Sequence, residues 1–123
     1  MSLEIDPNKI KALSPINSLN PENVQSLLSK IKLTEIKPGH YIFKKDDFDK
    51  CHIYLLEGEI ELVEDKSVSK VIKAGTPDGL QPLAHSFPRL ISARAKTPVV
   101  ITKINSDMLD IMLTWDQTGS YSV

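Results

Sequence analysis

The hydrophobic period of this 123-residue chain changes twice, and the two changes bound what it can fold into. Up to Ile31 the apolar residues recur every three or four positions. From Lys32 they recur every second position, and at Ser106 the helical spacing returns. Short alternating runs broken by turn residues, with helical segments before and after, predict a mainly β fold. The expected architecture is an antiparallel jelly-roll or double-stranded β-helix barrel of the eight-strand class, with flanking N- and C-terminal helices.

The local signals place the elements. Asn20 is a good N-cap, Pro21 suits the first helical position, and Glu22 favours the positive helix end. Leu19 and Val24 stand at the two positions of a hydrophobic staple. Val24, Leu27, Leu28 and Ile31 then form one apolar face, and Ile10, Leu13, Ile16 and Leu19 predict a helical turn around Pro15 on the same core. Strands are expected at Leu33 to Ile36, Tyr41 to Phe43, His52 to Leu56, Glu59 to Val63, Val68 to Lys73, Leu90 to Lys96 and Val99 to Ile104. Pro38-Gly39, Lys44 to Lys50, Glu57-Gly58, Glu64 to Ser67 and Thr97-Pro98 read as the connections. Ile60 and Leu62 alternate with Glu59 and Glu61, the pattern of a strand with one face in water. Ser106 is expected to cap a last helix, ending near Trp115, that carries Met108, Leu109, Ile111, Met112 and Leu113. A helix apolar on most sides has two surfaces to bury against, so a partner helix or a following domain is expected there.

Composition excludes several classes of function. Fifteen basic residues against sixteen acidic ones give a net charge of −1, which argues against a whole-surface nucleic-acid binder. No apolar run approaches the roughly 20 residues that span a bilayer. The N-terminus lacks a signal-peptide pattern, and the single Cys51 has no partner for an internal disulfide, so a cytoplasmic setting is expected. Histidine occurs only as His40, His52 and His85, without the spacing of a metal centre. No Ser-His-Asp order, Gly-rich nucleotide loop or paired catalytic carboxylate stands out, so the chain does not read as an enzyme. Glu57, Glu59, Glu61 and Glu64 read most simply as a solvated strand face.

One stretch remains: Gly79-Leu80-Gln81-Pro82-Leu83-Ala84-His85-Ser86-Phe87-Pro88-Arg89-Leu90-Ile91-Ser92-Ala93. It resembles the phosphate-binding cassette of the cyclic-nucleotide-binding domain family, of the catabolite-activator and kinase regulatory-subunit kind. In that family a glycine-opened turn and short helix are followed ten residues later by an arginine that starts a strand. The family string reads roughly Gly-Glu-Leu-Ala-Leu, a few variable residues, then Pro-Arg-Ala-Ala-Thr. Gly79, Pro88, Arg89 and Ser92 match it; Leu80 stands where the family has glutamate. The resemblance extends over about residues 16 to 114. Gly39 and Gly58 fall at two of the family's turns, and Asp47 matches its aspartate. Asp46 replaces the glycine before it and tolerates a left-handed backbone better than most residues.

The resemblance implies a site of Gly79, Leu80, Gln81, Arg89, Leu90 and Ser92, and cyclic AMP or cyclic GMP as its ligand. A buried phosphate needs a fixed cation and backbone N–H donors. Arg89 has the planar fork for it, and the short helix after Gly79 would supply the donors. In the family the glutamate accepts from the ribose 2′-hydroxyl, which Leu80 cannot do; Gln81 offers a carbonyl one position later. Pro82 removes a backbone donor that the family's alanine supplies. An unpaired buried hydroxyl costs about 1–3 kcal/mol, roughly 5- to 150-fold in affinity. The alternative reading of Arg89 is a surface or ion-paired arginine that opens a strand. For Leu80 the alternative is filling of a pocket that no longer binds.

The expected function is a regulatory, signal-transducing domain of a larger bacterial protein, whose ligand, a cyclic nucleotide or other small anion, binds weakly or not at all. The rival is a ligand-free barrel that works as a dimerisation or docking module. Residues 1–15 read as an N-terminal extension in which Met1-Ser2-Leu3 resembles a tag remnant, residues 16–114 as the domain, and residues 115–123 as a linker to an attached C-terminal domain. A homodimer is a further expected partner; a membrane or nucleic acid is not.

Overall fold

The computed structural model describes residues 6–14, 16–48, 50–83 and 89–118, with side chains of the last helix described to Thr114. Three layers stack on one another. Helices α1 (Pro7–Lys11) and α2 (Pro21–Leu28), the 3-10 turn Ile16–Ser18 and helix α3 (Ser106–Thr118) form the first. The second is an antiparallel three-stranded sheet in the order β1 (Leu33–Ile36), β7 (Val99–Asn105), β3 (Cys51–Glu57). The third is an antiparallel four-stranded sheet in the order β2 (Tyr41–Phe43), β6 (Ser92–Ala95), β4 (Glu59–Glu64), β5 (Ser67–Lys73). The fold is mainly β and antiparallel, with seven strands among the described residues.

The middle sheet is buried on both faces, which explains the near-continuous apolar runs of β3 and β7. Ile53, Leu55, Val99 and Ile101 point to the four-stranded sheet and meet Ile42, Phe43, Ile60, Leu62, Ile72, Ala93 and Ala95. Tyr54 and Ile104 point the other way, into a cluster built by Ile10, Leu13, Ile16, Leu19, Val24, Leu27 and Leu109. The Tyr54 hydroxyl donates to the Ser14 carbonyl at 2.9 Å, and burial raises the phenol above its ordinary range. Gly58 is required at the β3–β4 turn: its φ is +90°, and a Cβ there would lie 2.4 Å from the Pro98 carbonyl oxygen.

The N-terminal helix forms where the cap predicts it, with the Asn20 side chain accepting from the Asn23 N–H at 2.9 Å. Ile10, Leu13, Ile16 and Leu19 are buried in one helical cluster, as their spacing predicts. At the other end the structure corrects the reading. Asn105, not Ser106, caps α3: its side chain accepts from the Met108 N–H at 3.0 Å, while the Ser106 N–H is taken by the Lys50 carbonyl. Helix α3 continues through residue 118, past the end expected near Trp115. Its Leu109 and Met112 are already buried on the domain, and Ile111 is its large apolar side chain left exposed, so one surface satisfies most of its apolar residues. The side chain of Trp115 and all of Tyr121, aromatic residues past the expected helix end that would pack on a following domain or a dimer partner, lie outside what the structure describes.

Candidate ligand site

The cassette leaves β5 through a turn organised by Thr76. Its hydroxyl donates to the Lys73 carbonyl at 2.6 Å and accepts from the Gly79 N–H at 3.2 Å. That closure brings residue 79 against the end of β5, where a Cβ would lie 2.3 Å from the Lys73 carbonyl oxygen. Glycine is therefore needed here for close approach, not for a positive φ. From 79 to 83 the backbone runs in turns and bends without a helix. The expected short helix, His85 and Pro88 fall at residues 84–88 or beside them, and those five lie outside the described residues.

The side chains after Gly79 diverge. Leu80 packs on the helical cluster and lines an apolar cleft of about 490 Å³ with Leu13, Leu55 and Leu56. Its carbonyl accepts from the Ser14 N–H at 2.7 Å, tying the cassette to the first layer. Gln81 is exposed, and Leu83 is buried between the two sheets with its N–H on the Ile53 carbonyl. The residue standing at the glutamate position thus serves the helix-side core.

Arg89 is anchored by its backbone before its side chain is considered. Its N–H donates to the Asp47 carbonyl at 2.8 Å, and its carbonyl accepts from the Asp46 N–H at 2.7 Å. The β2–β3 loop that makes this clasp is closed by the Asp47 carboxylate accepting from the Lys44 N–H at 2.9 Å. Asp46 has a φ of +76°, so aspartate does adopt the left-handed backbone expected of the family's glycine. The Arg89 side chain is 0% exposed. Its Nη2 donates to the Cys51 carbonyl at 2.6 Å, and the guanidinium lies over the Phe43 ring at 4.6 Å. This overturns the reading of Arg89 as a surface arginine; it also lies outside β6, which begins at Ser92.

Ser92 and Leu90 face another way again. Ala93 and Ala95 fill the core between the sheets, so the alternation of β6 puts Ser92 and Arg94 on the outer face. The Ser92 hydroxyl accepts from the Lys45 N–H at 2.9 Å. Leu90 is exposed and lines an outer cleft of about 260 Å³ with Ser92, Tyr41 and Lys45. Of the six residues read as one site, Gly79 lies against the end of β5, Leu80 packs at the helix side, Gln81 is exposed, Arg89 is buried beside Phe43 and Cys51, and Leu90 and Ser92 lie outside.

Sequence reasoning passed over Arg94 and misread Glu61. They pair directly across β6 and β4, with Arg94 Nη2 donating to Glu61 Oε2 at 2.7 Å, and that hydrogen bond raises the guanidinium above its ordinary value. Glu57 likewise meets Lys9 at 2.9 Å. The acidic strand face is partly paired rather than merely solvated. The alternation of Arg94 between Ala93 and Ala95 was the available signal, but only the strand register shows what stands opposite.

A family model described as the cyclic nucleotide-binding domain matches residues 33–114, both sheets and most of α3 together. The chain belongs to the cyclic nucleotide-binding domain family. Solved structures of similar fold include family proteins of several kinds. A protein of Geobacter metallireducens assigned as cyclic nucleotide-binding is 26% identical, with a TM-score of 0.71 over 94% of this chain and 86% of that one. One of Silicibacter pomeroyi, assigned as a cAMP-binding regulatory protein, is 16% identical with a TM-score of 0.71 over 94% of this chain. The regulatory domain of Toxoplasma gondii PKA, solved with cAMP, is 14% identical with a TM-score of 0.70 over 89% of this chain. The match spans 59% of the Silicibacter chain and 46% of the Toxoplasma chain. Among curated proteins, no sequence matches.

Proposed function

We propose that this cyclic nucleotide-binding domain is a regulatory module of a larger bacterial, cytoplasmic protein that binds cyclic AMP or cyclic GMP weakly or not at all, and that it is not itself an enzyme. One observation carries the reading. The cation at the phosphate-binding position, Arg89, is buried, donates to the Cys51 carbonyl and stacks on Phe43. To meet a phosphate, its guanidinium would have to exchange these contacts for the ligand, and that exchange subtracts from affinity. Leu80 adds to the deficit, since it offers no acceptor to the ribose hydroxyl and packs on the helices instead. The link from the cassette to the rest of the molecule runs through Ser14, which joins the Leu80 carbonyl and the Tyr54 hydroxyl. Helix α3 passes the state of the domain to the attached C-terminal domain.

The second reading, a ligand-free barrel acting as a dimerisation or docking module, is favoured by the outward position of Ser92. Calorimetric titration with cyclic AMP and cyclic GMP separates them. Binding in the range of about 100 μM to 1 mM fits a module that still senses nucleotide and excludes the ligand-free barrel, whereas no heat up to millimolar nucleotide leaves the ligand-free barrel. A sub-micromolar constant for either nucleotide refutes both, and would mean that Arg89 leaves its pocket readily.

A further inference from the structure

The large apolar side chains left exposed among the described residues gather mostly on one surface. Tyr41, Val68, Val71 and Leu90 are between 41% and 68% exposed. Strand register explains the grouping. Tyr41, Arg94, Glu61 and Val71 form one cross-strand row, and Ser92, Val63 and Val68 the next. Paired side chains project to one face, and Leu62, Ala93 and Ile72 occupy the core side, so both rows lie on the outer face of the four-stranded sheet. Leu90, Val63 and Tyr41 line the 260 Å³ cleft at the end of that face where the β4–β5 turn lies. In the row beside it Arg94 and Glu61 offset each other.

The charges sit at the ends. Lys45 bounds the cleft on the β2 side, and Lys44 lies over the Tyr41 ring at 5.4 Å. Glu64 and Asp65 bound it at the β4–β5 turn, where Lys66 offsets one of the two carboxylates. Lys45 thus stands on the β2 side and a net acidic charge on the β4–β5 side, with Tyr41, Val63 and Leu90 between them. A nucleic acid or an anionic membrane would favour one sign throughout. A two-fold interface needs a surface complementary to itself, with the basic end of each copy on the acidic end of the other.

We propose that the outer face of the four-stranded sheet is a self-association surface for a second copy of this chain. Lys45 of each copy meets Glu64 and Asp65 of the other, and Leu90, Val63 and Tyr41 are buried between them. The interface does not depend on nucleotide binding, so it stands or falls separately from the titration above.

Sedimentation velocity over a concentration series tests it, with circular dichroism confirming that each variant is folded. The parent chain forms a reversible dimer that weakens with added salt. Leu90→Asp weakens it by about 30-fold or more, the effect of leaving a leucine unburied. Lys45→Glu and Asp65→Lys each weaken it, and the two together restore it, because each swapped charge then meets its complement on the other copy. A parent chain that stays monomeric to about 1 mM overturns the proposal. So does a dimer that ignores Leu90→Asp, or one that only Ile111→Asp disrupts, which would move the interface to α3.

Discussion

Arg89→Ala is the substitution that most directly examines the state of the cassette. The wild-type guanidinium donates a charged hydrogen bond to the Cys51 carbonyl, and such bonds contribute about 1.5–3 kcal/mol. Its stacking on Phe43, away from water, contributes about 2 kcal/mol more. Alanine removes both, takes one donor from the half-buried Cys51 carbonyl and opens a cavity. Release of the arginine's own desolvation cost offsets part of this, so the net loss is expected at about 3–4 kcal/mol. In urea that lowers the unfolding midpoint by about 2 M for a slope of about 1.5–2 kcal/mol per molar. Arg89→Met keeps the volume and the contact with Phe43 but not the hydrogen bond, and is expected to lose about half as much. A cycle with Phe43→Leu should give a coupling of about 1 kcal/mol or more. If Arg89→Ala changed stability by no more than about 0.5 kcal/mol, as ordinary surface substitutions do, the arginine would not be held as described. The argument for weak nucleotide binding would then fail with it.

Three further outcomes follow from the same geometry. Leu80→Glu, which restores the residue type of the family at that position, should not create nucleotide affinity and should cost about 1–2 kcal/mol, because side chain 80 packs on the helical cluster; tight cyclic AMP binding by this variant would refute the placement. Gly79→Ala should cost about 1–3 kcal/mol in thermal or urea unfolding, since its Cβ would press on the Lys73 carbonyl and the neighbour is backbone; a neutral result would mean that the turn yields freely. Burial raises Tyr54 above the usual phenol value, so the folded state keeps a proton that the unfolded chain releases near pH 10. Stability is therefore full below pH 10 and falls by up to about 1.4 kcal/mol per pH unit above it. Tyr54→Phe should lack that alkaline slope, while losing about 1 kcal/mol at neutral pH with the Ser14 hydrogen bond.

What could be read from the amino-acid order is what near neighbours decide. Asn20 caps α2 because its partner is three residues away, and Asp46 takes a left-handed backbone because its short polar side chain tolerates one. The alternation from Leu33 to Ile104 placed the strands, and the Gly79-to-Arg89 spacing identified the family. No helix forms over residues 79–83, and residues 84–88 lie outside the described ones. What the side chains of that cassette do was decided elsewhere in the chain. Arg89 turns inward because the Cys51 carbonyl and the Phe43 ring, 38 and 46 positions before it, come to lie beside it. Ser92 turns outward because β6 pairs with β4 in the register that sets Ala93 beside Leu62 in the core. Leu80 packs on the helices because the first layer, carrying Leu13 and Ser14, reaches over to meet it. Local chemistry determines where an element begins and what its backbone allows. The direction in which a site residue points depends on strand register and layer packing, and these are sums over contacts between residues far apart in sequence.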